Sequence, residues 1–143
     1  MTAPDREYLL DRTAAAGDRQ RVLLVSAWPG WRETEPRYVA FVERYTGVSS
    51  GGLPNRSLFT VSAEVGAIGP LVELLEARTG IVAGGADLVG RLAAALTAAV
   101  RRGDLTDALP PGTARDRVAA WFAEAGVPVE TDFWMWTDTS DMV

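Results

Sequence analysis

The stretch RVLLVSAWPGWRETEPRYVAFVERYTG, residues 21–47, decides how the chain is read. Its first eight residues are apolar on both alternations, with Val22, Leu24 and Trp28 on one and Leu23, Val25 and Ala27 on the other. A strand covered on both faces has that pattern, so a strand is expected over 21–28. After the WPGW turn, Pro36 suits a helix start and Gly47 its end. Tyr38, Phe41, Val42 and Tyr45 fall between them at i, i+3, i+4 and i+7, and the spacing predicts a helix over 35–46. Strand, turn and helix in that order suggest a crossover between parallel strands.

Working outward, Pro4, Tyr8, Leu9 and the alanines up to Ala16, with Gly17 as a stop, read as a first helix, and a hairpin strand is the competing assignment. The segment SSGGLPN, residues 49–55, is a surface loop by composition and the expected mobile piece, and SLFTVSA, residues 57–63, is a second strand. Pro70 opens a helix with Leu71, Leu74 and Leu75 on one face and Gly80 at its end. The helix over 86–102 has the strongest pattern: Leu88, Leu92, Leu96 and Val100 recur every four residues, and Arg101 and Arg102 suit the carboxyl end of the dipole.

After Pro-Pro-Gly, Thr113 with Asp116 resembles a capping box, and Val118, Trp121, Phe122 and Ala125 form a buried stripe before Gly126. VPVETDFWMW, residues 127–136, is the last strand. The expected order is α-β-α-β-α-α-α-β, a single α/β domain over residues 1–143 with a small, mainly parallel three-stranded sheet and helices packed on it. The alternative is an α+β fold whose last strand runs antiparallel at an edge, where Pro128 is tolerated. The architecture is loosely similar to that of barstar-like inhibitors, a resemblance that carries over no residue.

The missing residue types exclude more than the present ones suggest. The chain has no histidine or cysteine, and all fourteen of its cationic residues are arginine, a bias that fits a GC-rich genome. That removes Ser-His-Asp and Cys-His constellations, Schiff bases, Walker-type lysines and imidazole- or thiolate-bound metals. Carboxylate acid-base work, hydroxyl chemistry or a carboxylate-bound hard cation remains, and neither a cofactor nor a metal site is expected. The charged amino terminus MTAPDREYLLDR does not suit a signal peptide, and no apolar run approaches a membrane span, so a cytoplasmic protein is expected.

Charge is unevenly placed. Residues 1–50 hold seven acids and seven arginines, 51–103 four and five, and 104–143 eight and two, which concentrates the net charge of -5 in the last quarter. An acidic chain with no basic block suits a basic protein partner or a cationic ligand and argues against nucleic acid.

Several candidate sites follow. SAEVGAIGP, residues 62–70, holds Gly66 and Gly69 at a strand-to-helix turn, where backbone amides face an anion or simply make the turn; GIVAGGAD, residues 80–87, is a helix connection. Of the carboxylate pairs, Glu33 with Glu35 precedes a helix and Glu73 with Glu76 lies on a solvent face, which leaves Glu130 with Asp132. On the final strand Glu130, Asp132, Trp134 and Trp136 share one face, opposite Val127, Val129, Phe133 and Met135. Indole beside carboxylate suits an arginine-bearing partner, whereas tryptophans under a helix are the structural alternative.

The expected function is therefore a non-catalytic binding protein of inhibitor, immunity or regulatory type, which recognises a basic partner through Glu130, Asp132, Trp134 and Trp136. The alternative is a small-molecule-binding protein or tailoring enzyme. It would use carboxylate acid-base chemistry in a pocket of Trp28, Trp31, Arg32 and Glu64 near the strand ends.

Overall fold

The apolar stretch after residue 20 is a strand with hydrogen-bonded neighbours on both sides, and both neighbours are antiparallel. A computed structural model describes residues 4–14, 19–30, 32, 34–48, 52, 54–82, 84–105 and 110–137. Among them, strands β1 (Arg6–Ala14), β2 (Gln20–Trp28), β3 (Tyr38–Val48), β4 (Pro54–Glu64) and β5 (Glu130–Thr137) form one sheet in the order β1-β2-β3-β4-β5. Every pairing is antiparallel. Helices α1 (Gly69–Thr79), α2 (Leu88–Arg101) and α3 (Thr113–Glu124) all lie between β4 and β5.

This overturns the expected small, mainly parallel three-stranded sheet; the α+β alternative with an antiparallel edge strand fits better. The loose likeness to barstar-like inhibitors depends on the parallel sheet and falls with it. Two elements carry the error. The segment with helical spacing at 35–46 is strand β3, in which Tyr38, Val39, Phe41, Val42, Tyr45, Thr46 and Val48 are all β-branched or aromatic and favour pleated backbone. Glu43 stands at a position of β3 that faces the helices, so the apolar alternation breaks there and the helical spacing looks better than it is.

The first segment is strand β1, the competing hairpin assignment rather than the expected helix, and its register shifts between Leu9 and Asp11. One extra residue there interrupts the period of two, so Leu10 is buried while Leu9 is exposed. Most of the expected loop at 49–55 lies outside the described residues, and Pro54 and Asn55 belong to β4.

The three helices pack on one face of the sheet. Leu23, Val25 and Ala27 of β2, Val39 and Phe41 of β3, and Val61 and Ala63 of β4 form one buried cluster with Leu71 and Leu75 of α1, Leu92 and Leu96 of α2, and Val118 and Phe122 of α3. Gly80 ends α1 in the left-handed region, φ 69°, where its amide donates to the Glu76 carbonyl. Asp87 caps α2 by accepting from the Gly90 amide at 3.0 Å.

Asp87 also gives a testable pH dependence. Its hydrogen bonds from Arg6 and then from the Gly90 amide hold its carboxyl at about 2, below the ordinary 3.8. A depressed carboxyl contributes stability above the unfolded value and loses it as pH falls towards 2. Because both partners are substantially solvated, the effect is small. Melting temperature should fall modestly between pH 4 and pH 2, and the fall should be shallower in Asp87→Asn, which keeps the cap; equal slopes in thermal melts would remove this assignment.

Candidate binding surface

Cross-strand partners in an antiparallel sheet share a face, so the register lays out the face that the helices leave uncovered. Its middle row is Leu9, Leu24, Val42, Thr60 and Asp132. Towards one end of the strands stand Glu7, Ser26, Ala40, Ser62 and Glu130, and beyond them Trp28, Tyr38 and Glu64. Towards the other end stand Arg12, Val22, Arg44, Leu58 and Trp134, and beyond them Gln20, Thr46 and Arg56.

Val22, Ala40 and Val42 are buried on this face yet do not belong to the core cluster beneath the helices. They are short residues flanked by the taller Leu24, Trp28, Tyr38, Arg44 and Leu58. Among the described residues, neither the carboxylates of Glu7, Glu64, Glu130 and Asp132 nor the guanidiniums of Arg12, Arg44 and Arg56 form an ion pair. The face therefore has an apolar middle, an acidic end and a basic end.

Both sequence-derived candidate sets reach this face. Glu130, Asp132 and Trp134 are exposed on it, and position 136 pairs with Arg56 in the same register, although the Trp136 side chain lies outside the described residues. Trp28, half-buried, and Glu64, exposed, stand in one row across Tyr38. Trp31 lies outside the described residues. Arg32 is exposed in the turn after β2, where its carbonyl accepts from the Glu35 amide at 3.0 Å, and among the described residues nothing joins it to Glu64.

The opposite side of β5 departs from expectation. Val127 and Val129 pack on the core, but Phe133 and Met135 are 52% and 66% exposed, beside Trp134 at 47%. Every described side chain from Glu130 to Met135 is exposed, and among the described residues β5 pairs with β4 alone. The edge strand thus shows apolar side chains on both faces.

Comparison with family models, with curated proteins and with solved structures finds no match. Chemistry has to be judged from the residues. Among the described residues no cluster of His, Cys, Asp or Glu could hold a metal ion, and no helix is long and apolar enough to cross a membrane. The Gly66 and Gly69 turn forms a short 3-10 turn over Val65–Ala67 leading into α1. A shallow groove between the end of α1 and the start of α2 holds Glu76 and Arg91, but these neutralise each other: Arg91 donates to both Glu76 oxygens, at 3.0 and 2.5 Å, and holds that carboxyl below its usual value.

Sequence reasoning missed a buried polar network on the helix side of the sheet. The fully buried Glu43 accepts from the Tyr45 hydroxyl at 2.6 Å, the Arg115 amide at 3.0 Å and the Gly112 amide at 3.3 Å. The last two are amides at the start of α3, so a sheet carboxylate caps that helix, and the anticipated Thr113–Asp116 box does not form: Gly112 is the cap residue and the Thr113 hydroxyl donates to the Pro110 carbonyl. Buried Arg21 faces Tyr45 across β2 and β3 and lies 3.6 Å from Asp11. Burial, and then the neighbouring Glu43, push the Tyr45 hydroxyl well above its ordinary range.

The network also reaches β5. From the capped turn of α3, Arg115 lies 5.5 Å over the Phe59 ring and donates to the Asp132 carbonyl at 2.9 Å. Phe59 in turn packs against Phe133, with ring centroids 4.7 Å apart. Glu43 fixes α3, and α3 fixes the edge strand. The sequence signal was a glutamate inside YVAFVERY with a tyrosine two residues on, which on a strand share a face.

Proposed function

We propose that the protein is a non-catalytic binding protein, acting in the cytoplasm, that takes an extended basic segment of a protein partner along the free edge of β5. The observation that carries this reading is the edge itself: eight residues long, paired on one side only among the described residues, with the acids Glu130 and Asp132 at its start and exposed Phe133, Trp134 and Met135 after them, on both faces, where no proline or covering element blocks it among the described residues. A partner strand added there gains main-chain hydrogen bonds, and alternate side-chain contacts give it specificity. Lysines or arginines at every second position meet Glu130 and Asp132, while apolar residues between them meet Phe133 and Met135.

The test uses synthetic ten-residue peptides that alternate arginine with valine, against the same peptides carrying glutamate for arginine, read by tryptophan fluorescence. The arginine peptides should bind and weaken as salt rises through the Debye-screening range, and the glutamate peptides should not. Glu130→Gln with Asp132→Asn should lower mainly the association rate. Trp134→Ala or Trp136→Ala should raise mainly the dissociation rate, by about 30-fold for a loss of ~2 kcal/mol. Equal binding of both peptide classes, or of neither, rejects the reading.

A second reading keeps a small cationic ligand at the row Trp28, Tyr38 and Glu64, where two aromatic rings and a carboxylate lie side by side in register. Binding of an alkylammonium or guanidinium compound that Glu64→Gln abolishes would support it.

A further inference from the structure

The uncovered face is charged in a way that fits its own copy. We infer that two chains pack helix-free face to helix-free face about a twofold axis that runs across the strands, through the row Leu24, Val42 and Thr60. This goes beyond the proposed function, because it rests on charges of β1 and β4 across the face of the sheet, where the peptide uses β5.

Register selects the axis. A twofold across the strands exchanges the two ends of each strand while keeping β1 over β1 and β4 over β4. Glu7 and Arg12 stand on β1, one row to either side of the axis row. Glu64 and Arg56 stand on β4, two rows to either side of it. Each acid is therefore carried over the arginine of its own strand in the second copy, and symmetry makes every such pair twice. A twofold along the strands, through β3, would instead set Glu7 on Glu130 and Arg44 on its own copy, and would leave Glu64, Arg12 and Arg56 without an opposite charge. Among these charges, Asp132 alone lies on the axis row, and it stands at the edge, where water screens it from its copy.

Size agrees with this. Five strands about 4.8 Å apart and about nine residues long at roughly 3.3 Å each present a face on the order of 700 Å², close to the roughly 800 Å² that each partner contributes to a standard stable interface. The middle of the face is largely apolar, as interface centres are, and its charges lie towards the rim except for Arg44 on the central strand. Two twisted sheets meeting this way form a sandwich with strands aligned to within about 30°. Within it Arg44, whose buried Nε has no hydrogen-bond partner among the described residues, lies near Ala40 of the second copy.

The experiment is sedimentation equilibrium of the whole chain, without peptide, across the micromolar range. The wild type should show twice the 15.3 kDa chain mass, and the dimer should weaken as salt is raised. The double variants Glu7→Arg with Glu64→Arg, and Arg12→Glu with Arg56→Glu, should each raise the dissociation constant by about 100-fold or more, because every cross-copy pair becomes like-charged. Mixed in equal amounts, the two should recover a heterodimer at least as stable as the wild type, because all four pairs are then opposite in charge. Circular dichroism and melting of each variant alone verify folding, and recovery on mixing is itself evidence of folded partners. A wild type that stays monomeric, variants that dimerise unchanged, or a mixture that fails to recover would each overturn the inference. Failure here leaves the peptide test untouched, since a monomeric chain keeps Glu130, Asp132 and Trp134 of β5 uncovered.

Discussion

Glu43→Ala is expected to cost about 3–5 kcal/mol of folding stability, the range for removing one member of a buried, hydrogen-bonded charged group. Its carboxylate satisfies the Tyr45 hydroxyl and two amides at the start of α3, in a place where none of these groups has water to replace it. The site cannot simply collapse. At Gly112, φ is 91° and an added Cβ would lie 3.0 Å from the Phe59 ring, so the α3 turn already approaches the sheet as closely as a glycine allows.

Urea denaturation followed by far-ultraviolet circular dichroism measures the effect. Glu43→Gln, which keeps an acceptor oxygen and loses the charge, should fall between alanine and the wild type. Because α3 holds β5 through Arg115, hydrogen exchange in β5 should accelerate more than in β2. A loss below about 1 kcal/mol would mean that another group caps α3.

What the sequence made legible follows from which signals survive tertiary context. β2, β4, the three helices and β5 were all readable: Leu92 and Leu96 recur on a helical face, and SLFTVSA has strand composition whichever way it pairs. β3 was not, because it carries apolar residues on both alternations and Glu43 on its inward face, and the two together erase the period of two. β1 was legible only as the competing assignment, because one bulge residue interrupts its period of two. From those two losses came the wrong topology: with only three strands visible, helices seemed to separate them all. In fact β1 to β4 follow one another directly, and the helices join antiparallel neighbours that need no crossover.

The candidate site was half legible for a related reason. Alternation along β5 placed Glu130, Asp132 and Trp134 on one face correctly, since faces follow from parity alone. That Trp28 and Glu64 stand on that same face depends on how β2, β3 and β4 are paired, which no single segment encodes. The dipolar pattern of arginines and acids is likewise a property of register. Read along the chain, Glu7, Arg12, Arg56 and Glu64 are four scattered surface charges.

Leu96→Ala should destabilise by about 2–5 kcal/mol, and how that loss compares with its neighbours tests the placement of α2 on the sheet. Leu96 and Leu92 are fully buried against the sheet and α1, so truncation there loses the transfer free energy of the missing methyl groups and leaves a cavity that packed elements cannot fill. Leu88, one step earlier in the same four-residue row, is only partly buried at the margin of the core, so Leu88→Ala should cost less than half as much. Met135 is the opposite case, an exposed residue as apolar as Leu96. Met135→Ala should change stability by no more than about 0.5 kcal/mol, because there is little burial to lose. If the β5 edge is the binding strand, the same substitution should nevertheless weaken the arginine peptide several-fold, while Leu96→Ala, measured below its melting temperature, should leave peptide affinity unchanged. A chain in which Leu96→Ala is silent, or in which Met135→Ala unfolds the protein, would reverse the assignment of core and surface on which both the fold and the proposed edge depend.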